Sequence, residues 1–550
     1  LGGGAWKGSG CGDFGENREY AKMAALAASS RRLSQRGRAA FFLCMSSTDS
    51  AVPHRGMITI SIMLATIMQT LDSTIANVAL PHMQGTLSAA SDQITWVLTS
   101  YIVAAAIATP ATGWLADRFG RKNLFLLAVA GFTVTSALCG MSETLLQIVV
   151  ARLLQGVFGA ALVPLSQATL LDINPPHKQG PAMAVWGMGV MIGPIIGPTL
   201  GGWLTEDYNW RWVFYINLPI GAVAFFGILT FMRETARRAD SRFDFFGFAT
   251  LSLAIGLLQL FLDRGEQKDW LGSIEIRIEM IGSLIAAAFF IAHTATSGRD
   301  SFFDTRILRD RNYFTGLLVI FVTGLVLYAT RALLPPMLQE LMDYPVIATG
   351  LVLAPSGAGT MLAMLVAGRL VRQVDIRLIM TVGFLLTIFS LWQMTHYTLV
   401  LSESDIVWPG IIQGIGLGFI FVPLSTVTFS TLQAELRPAG TSIFSLSRNV
   451  GSSIGISVVE TLLTRNTQVM HATLSEHVSI FNPLAMAGSQ LMTPSGLAAL
   501  DVEVTRQAAM IAYINDFRFM MILALLTMPL ILLIKPLRLH APEAGHLAID

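Results

Sequence analysis

Asp72 and Arg152 are charged residues set inside apolar runs of about 20 residues, the length that crosses a hydrocarbon core about 30 Å thick. An ionisable side chain at such depth is costly and points to function. At 1.5 Å per helical residue, Asp72 lies about 22 Å from one face and Arg152 about 10 Å from the other, so their depths agree within about 5 Å. Two such groups can face each other despite their separation in sequence. Burial disfavours a charged carboxylate and a nearby guanidinium favours it. A carboxylate set between these effects can load and release a proton as water access alternates. Asp72 is therefore the expected proton-coupling site and Arg152 its tuning partner, with a static ion pair or helix contact as the simpler alternative.

Small residues make a second pattern. Gly189, Gly193, Gly197 and Gly201 recur every fourth residue, with Pro194 and Pro198 between them. That spacing keeps the glycines on one slowly drifting side of a helix, where another helix can approach backbone to backbone. Each proline removes a helix hydrogen bond and can kink the span. Gly350, Gly357 and Gly359 in a later run are the expected counterparts. The ladder reads either as a seal along which two parts of the molecule rock without leak, or as ordinary tight packing.

A third pattern is the polar segment Gly113-Trp114-Leu115-Ala116-Asp117-Arg118-Phe119-Gly120-Arg121-Lys122. Gly113 permits close helix contact, Asp117 can accept from a helix N-terminus or from Arg121, and Arg118, Arg121 and Lys122 sit on the rim. Such contacts are expected to hold one conformation until substrate or proton breaks them. Asn77, Gln155, Arg331, Gln339 and Arg448 are the polar candidates for a substrate cavity. Arg331 and Glu460, near outer span ends, can also snorkel to the interface. The 25 Met and 31 Phe offer adaptable apolar lining, which suits amphipathic ligands. There is no GxxxxGK[ST] phosphate loop and no recognisable Ser/His/Asp set. His471 and His477, six apart, do not share a helix face. An enzyme, a cofactor and a metal site are accordingly not expected, and a proton gradient is the expected energy source.

The elements that must position these groups follow from composition. Of 550 residues, 53% are hydrophobic and 13% charged, against roughly 25% charged in soluble proteins. These numbers describe an integral membrane protein, and runs of spanning length make an all-α one the expectation. A net charge of +1 excludes nucleic-acid binding driven by bulk charge. From Met57 onward, fourteen apolar runs alternate with short loops. An even count puts both termini on one side. The loops on that side carry about eighteen Lys and Arg against about six opposite, so it is expected to be cytoplasmic. Trp96, Trp203, Trp210, Trp212, Trp270 and Trp408 fall near outer ends, as an interfacial belt does.

Gly368-Arg369-Leu370-Val371-Arg372-Gln373-Val374-Asp375-Ile376-Arg377 is a degraded copy of the 113–122 segment. The repeat implies a six-helix half over 57–232, another over 311–540, and an inserted helix pair over 244–296. Binding is then expected between the halves near the midplane. Residues 465–511 read as one long polar outer loop. Residues 1–44 are rich in Gly, Ser and Arg and contain no spanning run, so they read as a disordered, non-native extension, with natural translation expected to begin at Met45.

The 113–122 segment matches the loop signature of the major facilitator superfamily. Leu71-Asp72-Ser73-Thr74-Ile75-Ala76-Asn77-Val78-Ala79-Leu80-Pro81 resembles the first-span motif of its fourteen-span drug:proton antiporters. Arg152-Leu153-Leu154-Gln155-Gly156 is similar to the fourth-span arginine motif, and Gly193-Pro194-Ile195-Ile196-Gly197-Pro198-Thr199-Leu200-Gly201-Gly202 to the fifth-span antiporter motif. Trp210-Arg211-Trp212, continuing to Asn217-Leu218-Pro219, and Leu334-Pro335-Pro336 also look like that branch. Arg448-Asn449-Val450-Gly451 is similar to its EmrB-like multidrug exporters. The resemblance covers roughly 57–540. It implies a major facilitator fold of fourteen transmembrane helices in a bacterial inner membrane, exporting amphipathic drugs against proton entry. A periplasmic adaptor and an outer-membrane channel are the implied partners, with 465–511 as a contact. A narrow metabolite exporter or a proton symporter of the same fold is the alternative, and a non-transporting receptor or scaffold the remoter one.

Overall fold

In the computed structural model the described residues are 53–234, 243–296, 305–478 and 493–535, and they contain no strand. The expected extension 1–44 lies outside them. The described residues from Gly56 onward form one unit. Its long helices follow the expected apolar runs in order: α1 (Arg55–Thr86), then α2, a pair Trp96–Ala108 and Ala111–Phe119 bent by 58°. Next come α3 (Arg121–Met141), α4 (Leu145–Ile173), α5 (Pro176–Asp207) and α6 (Trp212–Phe231). α7 (Phe245–Arg264) and α8 (Ile274–Thr296) precede α9 (Arg311–Pro336), which runs into a π turn over Met337–Leu341. α10 (Val346–Leu370), α11 (Ile376–Met394), α12 (Glu403–Ser430), α13 (Arg437–Glu476) and α14 (Pro494–Thr527) complete the bundle.

Among the described residues, eleven helices are long and apolar enough to cross a membrane, or twelve with the bent α2. α8 and α13 fall short of that measure. α8 opens with Glu275, Arg277 and Glu279, and α13 carries Arg448, Glu460 and Arg465 among many Ser and Thr residues. The fourteen expected spans thus have fourteen helical counterparts, two of which are not recommended as spans by apolarity alone.

Proline chemistry explains the irregular places. Pro110 cannot donate to the ladder, and α2 bends there. Pro335 and Pro336 end α9, and the chain continues as a π turn. α5 keeps Pro181, Pro194 and Pro198 within one continuous helix.

Two apolar cores are separate. One gathers Ile75, Val97, Ile148 and Phe214 from α1, α2, α4 and α6. The other gathers Leu333, Leu391, Val459 and Phe517 from α9, α11, α13 and α14. The first six helices meet the last six where α2 and α4 pack on α13 and where α5 packs on α10 and α12. α7 lies against α2 and also against α13, with Ser457 Oγ donating to the Leu262 carbonyl at 2.9 Å and Thr99 bonded to Asp263. The inserted pair therefore straddles the two sets.

Two expectations change. The stretch 465–511 is not one loop: α13 is helical to Glu476 and α14 begins at Pro494, with 479–492 outside the described residues. At 40 residues α13 is about 60 Å long, twice the hydrocarbon thickness. Trp210 does not belong to an interfacial belt. It is 3% exposed and packs on Phe214, with the Arg211 guanidinium 4.5 Å from its ring centre. Trp203, Trp212 and Trp408 are exposed.

Candidate functional site

Asp72 sits on the buried side of α1, and every polar group that reaches it is a donor. Arg152 Nη1, from α4, donates to Asp72 Oδ2 at 2.7 Å. Gln155 Nε2, one turn along α4, donates to Oδ1 at 2.9 Å, and Asn217 Nδ2 from α6 donates to the same oxygen at 2.8 Å. Each of these four side chains has 0% exposure.

A surrounding shell fixes the donors. Arg152 also donates from Nη1 to Gln155 Oε1 at 2.9 Å and from Nε to the Val97 carbonyl at 3.1 Å. Its guanidinium carbon stands 4.4 Å from the ring centre of Tyr101, a cation–π contact. Asn217 Nδ2 is shared with Ser136 Oγ at 3.0 Å, and that hydroxyl donates to the Phe214 carbonyl at 2.9 Å.

The chemical consequence follows from donor and acceptor counting. An ionised carboxylate only accepts, whereas a protonated one also donates. The three donors fill three of about four acceptor sites, and a proton arriving on Asp72 removes the charge that strengthens their bonds, the Arg152 contact above all. Proton occupancy and the packing of α1, α4 and α6 are thereby linked.

The glycine ladder lies beside this site, though not on the expected partner. A Cβ on Gly193 would fall on the Thr70 carbonyl, and on Gly197 and Gly201 it would meet Thr74 and Ile75. Gly189 faces Met63, and Thr74 Oγ1 donates to the Gly193 carbonyl at 3.1 Å. Pro194 and Pro198 lie between these contacts without interrupting α5. The ladder thus seats α5 on α1, on both sides of Asp72. Gly350 and Gly357 instead face Thr199 and Ile195 on another side of α5, and Gly359 faces Ile411 of α12.

The 113–122 segment joins the two sets of helices. A Cβ on Gly113 would lie 2.8 Å from Ala439 Cα at the start of α13, and the hydroxyls of Thr112 and Ser442 are 2.5 Å apart. Gly120 has φ +86°, the turn that lets α3 begin at Arg121, and it packs against Glu234. Lys122 Nζ donates to the Leu229 carbonyl at 2.7 Å, while Arg118 is exposed. Arg121 is ion-paired with Asp172 at the end of α4, and Asp117 acts on it electrostatically. Asp172 also accepts from Arg437 Nη1 of α13 at 2.8 Å. Sequence reasoning did not single out Asp172, although a lone acid among basic loops was the available signal.

The five cavity candidates do not converge. Gln155 belongs to the Asp72 cluster. Asn77 is exposed on α1, and Gln339 is half-buried in the π turn. Arg448 is buried against α9, where a Cβ on Gly324 would meet its backbone. Arg331 does not reach for the interface as a snorkelling side chain would: its Nη2 stands 3.9 Å from Met191 Sδ of α5. Asn217 is the member of the Asp72 cluster missing from the expected site, although it stood in the quoted Trp210–Pro219 segment as a lone amide in an apolar run.

A multi-pass helical bundle of this order, with a buried acid–arginine site and a helix-joining basic loop, is a membrane transporter of the major facilitator type. The Major Facilitator Superfamily model matches residues 62–456, and the chain belongs to that family. It is 38% identical over 433 residues to the multidrug export protein EmrB of Escherichia coli strain K12, covering 78% of this chain and 84% of that one. It is 34% identical over 497 residues to the fatty acid resistance protein FarB of Neisseria gonorrhoeae, covering 89% and 97%. Among solved structures, the proton:xylose symporter XylE has the same fold, with a TM-score of 0.55 at 13% identity over 85% of this chain and 94% of that one.

Proposed function

We propose that this protein is a proton-coupled antiporter that exports amphipathic toxic compounds across a bacterial inner membrane, with both termini cytoplasmic. The observation that carries the reading is the buried Asp72 carboxylate, held by three buried donors whose bonds a proton weakens. Multidrug export in the names of relatives supports the substrate class, and the excess of Lys and Arg in one set of loops supports the orientation.

On this reading the 113–122 segment is cytoplasmic, and Asp172–Arg437 and Thr112–Ser442 hold that end closed in this conformation. A proton reaching Asp72 from the outer side loosens α1 from α4 and α6. Because the α5 ladder seats on α1 at Thr70 and Thr74, the loosening is passed to the helix that packs on α10. No cofactor is needed, since the proton gradient supplies the energy. A periplasmic adaptor leading to an outer-membrane channel would meet the projecting ends of α13 and α14.

The test is transport into inverted vesicles under an imposed pH gradient, scanned over cationic, neutral and anionic amphiphiles. Gradient-dependent uptake of several chemically unlike compounds, lost in Asp72→Asn, is the expected result. Uptake of a single compound would favour a narrow exporter, and uptake indifferent to the gradient would overturn proton coupling.

A further inference from the structure

Asp516 on α14 is treated in the opposite way to Asp72. Its exposure is also 0%, yet neither carboxyl oxygen has a hydrogen-bond partner, and no ion pair joins it among the described residues. An ionised carboxylate left without donors in a low-dielectric core is far costlier than the neutral acid. The side chain therefore stands there as a carboxylic acid, carrying one proton.

A partly polar cavity lies near that proton in the packing. A cavity between α9, α11, α12 and α14 is lined by Thr323, Thr387, Gln413 and Ala524 among apolar neighbours. Gln413 Nε2 donates to Thr330 Oγ1 at 3.2 Å, and that hydroxyl lies 3.4 Å from Met520 Sδ. Met520 is one helical turn from Asp516 on the same face of α14, about 6 Å along the axis. Polar side chains thus extend from the cavity to Thr330, and Met520 stands between that hydroxyl and the turn that carries Asp516.

The charged side chain nearest in level on a packed helix belongs to α9. The antiparallel register of α9 and α14 is set by Asn312 against Lys535 at one end and by Arg506 against the Leu341 carbonyl at the other. That register puts Asp516 level with Arg331. The other titratable groups on the packed elements are Tyr513 and Arg518 on α14, Tyr328 on α9, Glu340 in the π turn, Tyr397 beyond α11 and Glu460 on α13, and none is bonded to Asp516.

We propose that Asp516 is a second proton-carrying site, built into the last six helices, loaded in this conformation and emptied in another. Its part in transport rests on the proton-coupled reading above, whereas the buried proton itself does not.

Infrared spectroscopy of the purified full-length protein in lipid tests it without a substrate. A carbonyl band of a protonated carboxylic acid is expected in the wild type and in Asp72→Asn, and it should be lost in Asp516→Asn. Asp516→Leu, which fills the same apolar site without an amide, should lose it too and guards against misfolding of the first variant. In deuterated buffer the wild-type band should shift as the proton exchanges. A band that persists in both Asp516 variants overturns the proposal. So does an Asp516 band that never exchanges, because a sealed acid carries no proton through a cycle. If the vesicles show no proton coupling while the Asp516 band is present and exchanges, the function reading fails and the proton site stands.

Discussion

Arg152 Nη1 and Asp72 Oδ2, 80 residues apart in sequence, meet at 2.7 Å with neither side chain reaching solvent. Breaking a buried pair from one side leaves an uncompensated charge and costs about 3–5 kcal/mol. Asp72→Asn should therefore lower the thermal stability of the purified protein and reduce gradient-driven transport at least about tenfold, a barrier change of about 1.4 kcal/mol. Removing both charges, as Asp72→Asn with Arg152→Gln, should recover most of the stability and none of the coupling. Undiminished gradient-driven transport in the single variant would place coupling elsewhere.

Arg152 does more than supply charge. It donates from two different nitrogens, to Asp72 and to the Val97 carbonyl, and lies on the Tyr101 ring. A lysine ammonium keeps the charge but not the planar fork. Arg152→Lys is expected to fold and to transport several-fold more slowly than the wild type. Parity in initial rates would show that charge alone suffices.

The depth of Asp72 and Arg152 was legible in the sequence because 1.5 Å per residue is a fixed ruler and lone charges in apolar runs stand out. What rotates toward what was not. Apolar spans carry little face information, so Gly189 to Gly201 could be assigned a common side but not its partner, which is α1 and not α10. Gln155 was visible as a polar group, but only the α4 helix angle places it on Asp72 Oδ1 instead of in a cavity. Asp516 went unremarked because nothing in its local sequence shows that α14 turns it inward, away from any donor. The polarity of 465–476 and 494–511 suggested a loop, yet those residues continue helices beyond the apolar zone.

Gly193 meets the backbone of α1 at Thr70 and Leu71, so no side chain can yield to an added group. Overpacking of this kind typically costs about 1–3 kcal/mol. Gly193→Leu should push α1 away at the turn next to Asp72. Proton leak across proteoliposomes, measured with a trapped pH dye, should rise while the protein still purifies as a monodisperse species. A folded variant with wild-type leak would reduce the ladder to simple packing.

Asp172 links Arg121 of α3 to Arg437 of α13 and is partly solvent-exposed. Pairs of this exposure contribute about 1 kcal/mol or less each. Asp172→Asn should therefore leave folding unchanged and shift the conformational balance several-fold toward opening at that end. Alkylation of a cysteine placed at Ser442 is the readout, and its rate should rise in the Asp172→Asn background. An unchanged rate would confine Asp172 to local loop structure.

Thr112 and Ser442 offer the most direct lock. Their hydroxyls are 2.5 Å apart, and the neighbouring Gly113 nearly touches the Ala439 backbone, so cysteine sulfurs at the two positions would meet in place of the hydroxyls. Cys139 is fully buried and cannot compete, and Cys11 and Cys44 are replaced by serine as a precaution. The double variant Thr112→Cys with Ser442→Cys should cross-link on oxidation and lose transport, and a thiol reductant should restore it. Each single variant should remain active under oxidation. If the cross-linked protein still transports at the reduced rate, α2 and α13 do not separate during the cycle, and the opening must occur along the α5–α10 contact alone.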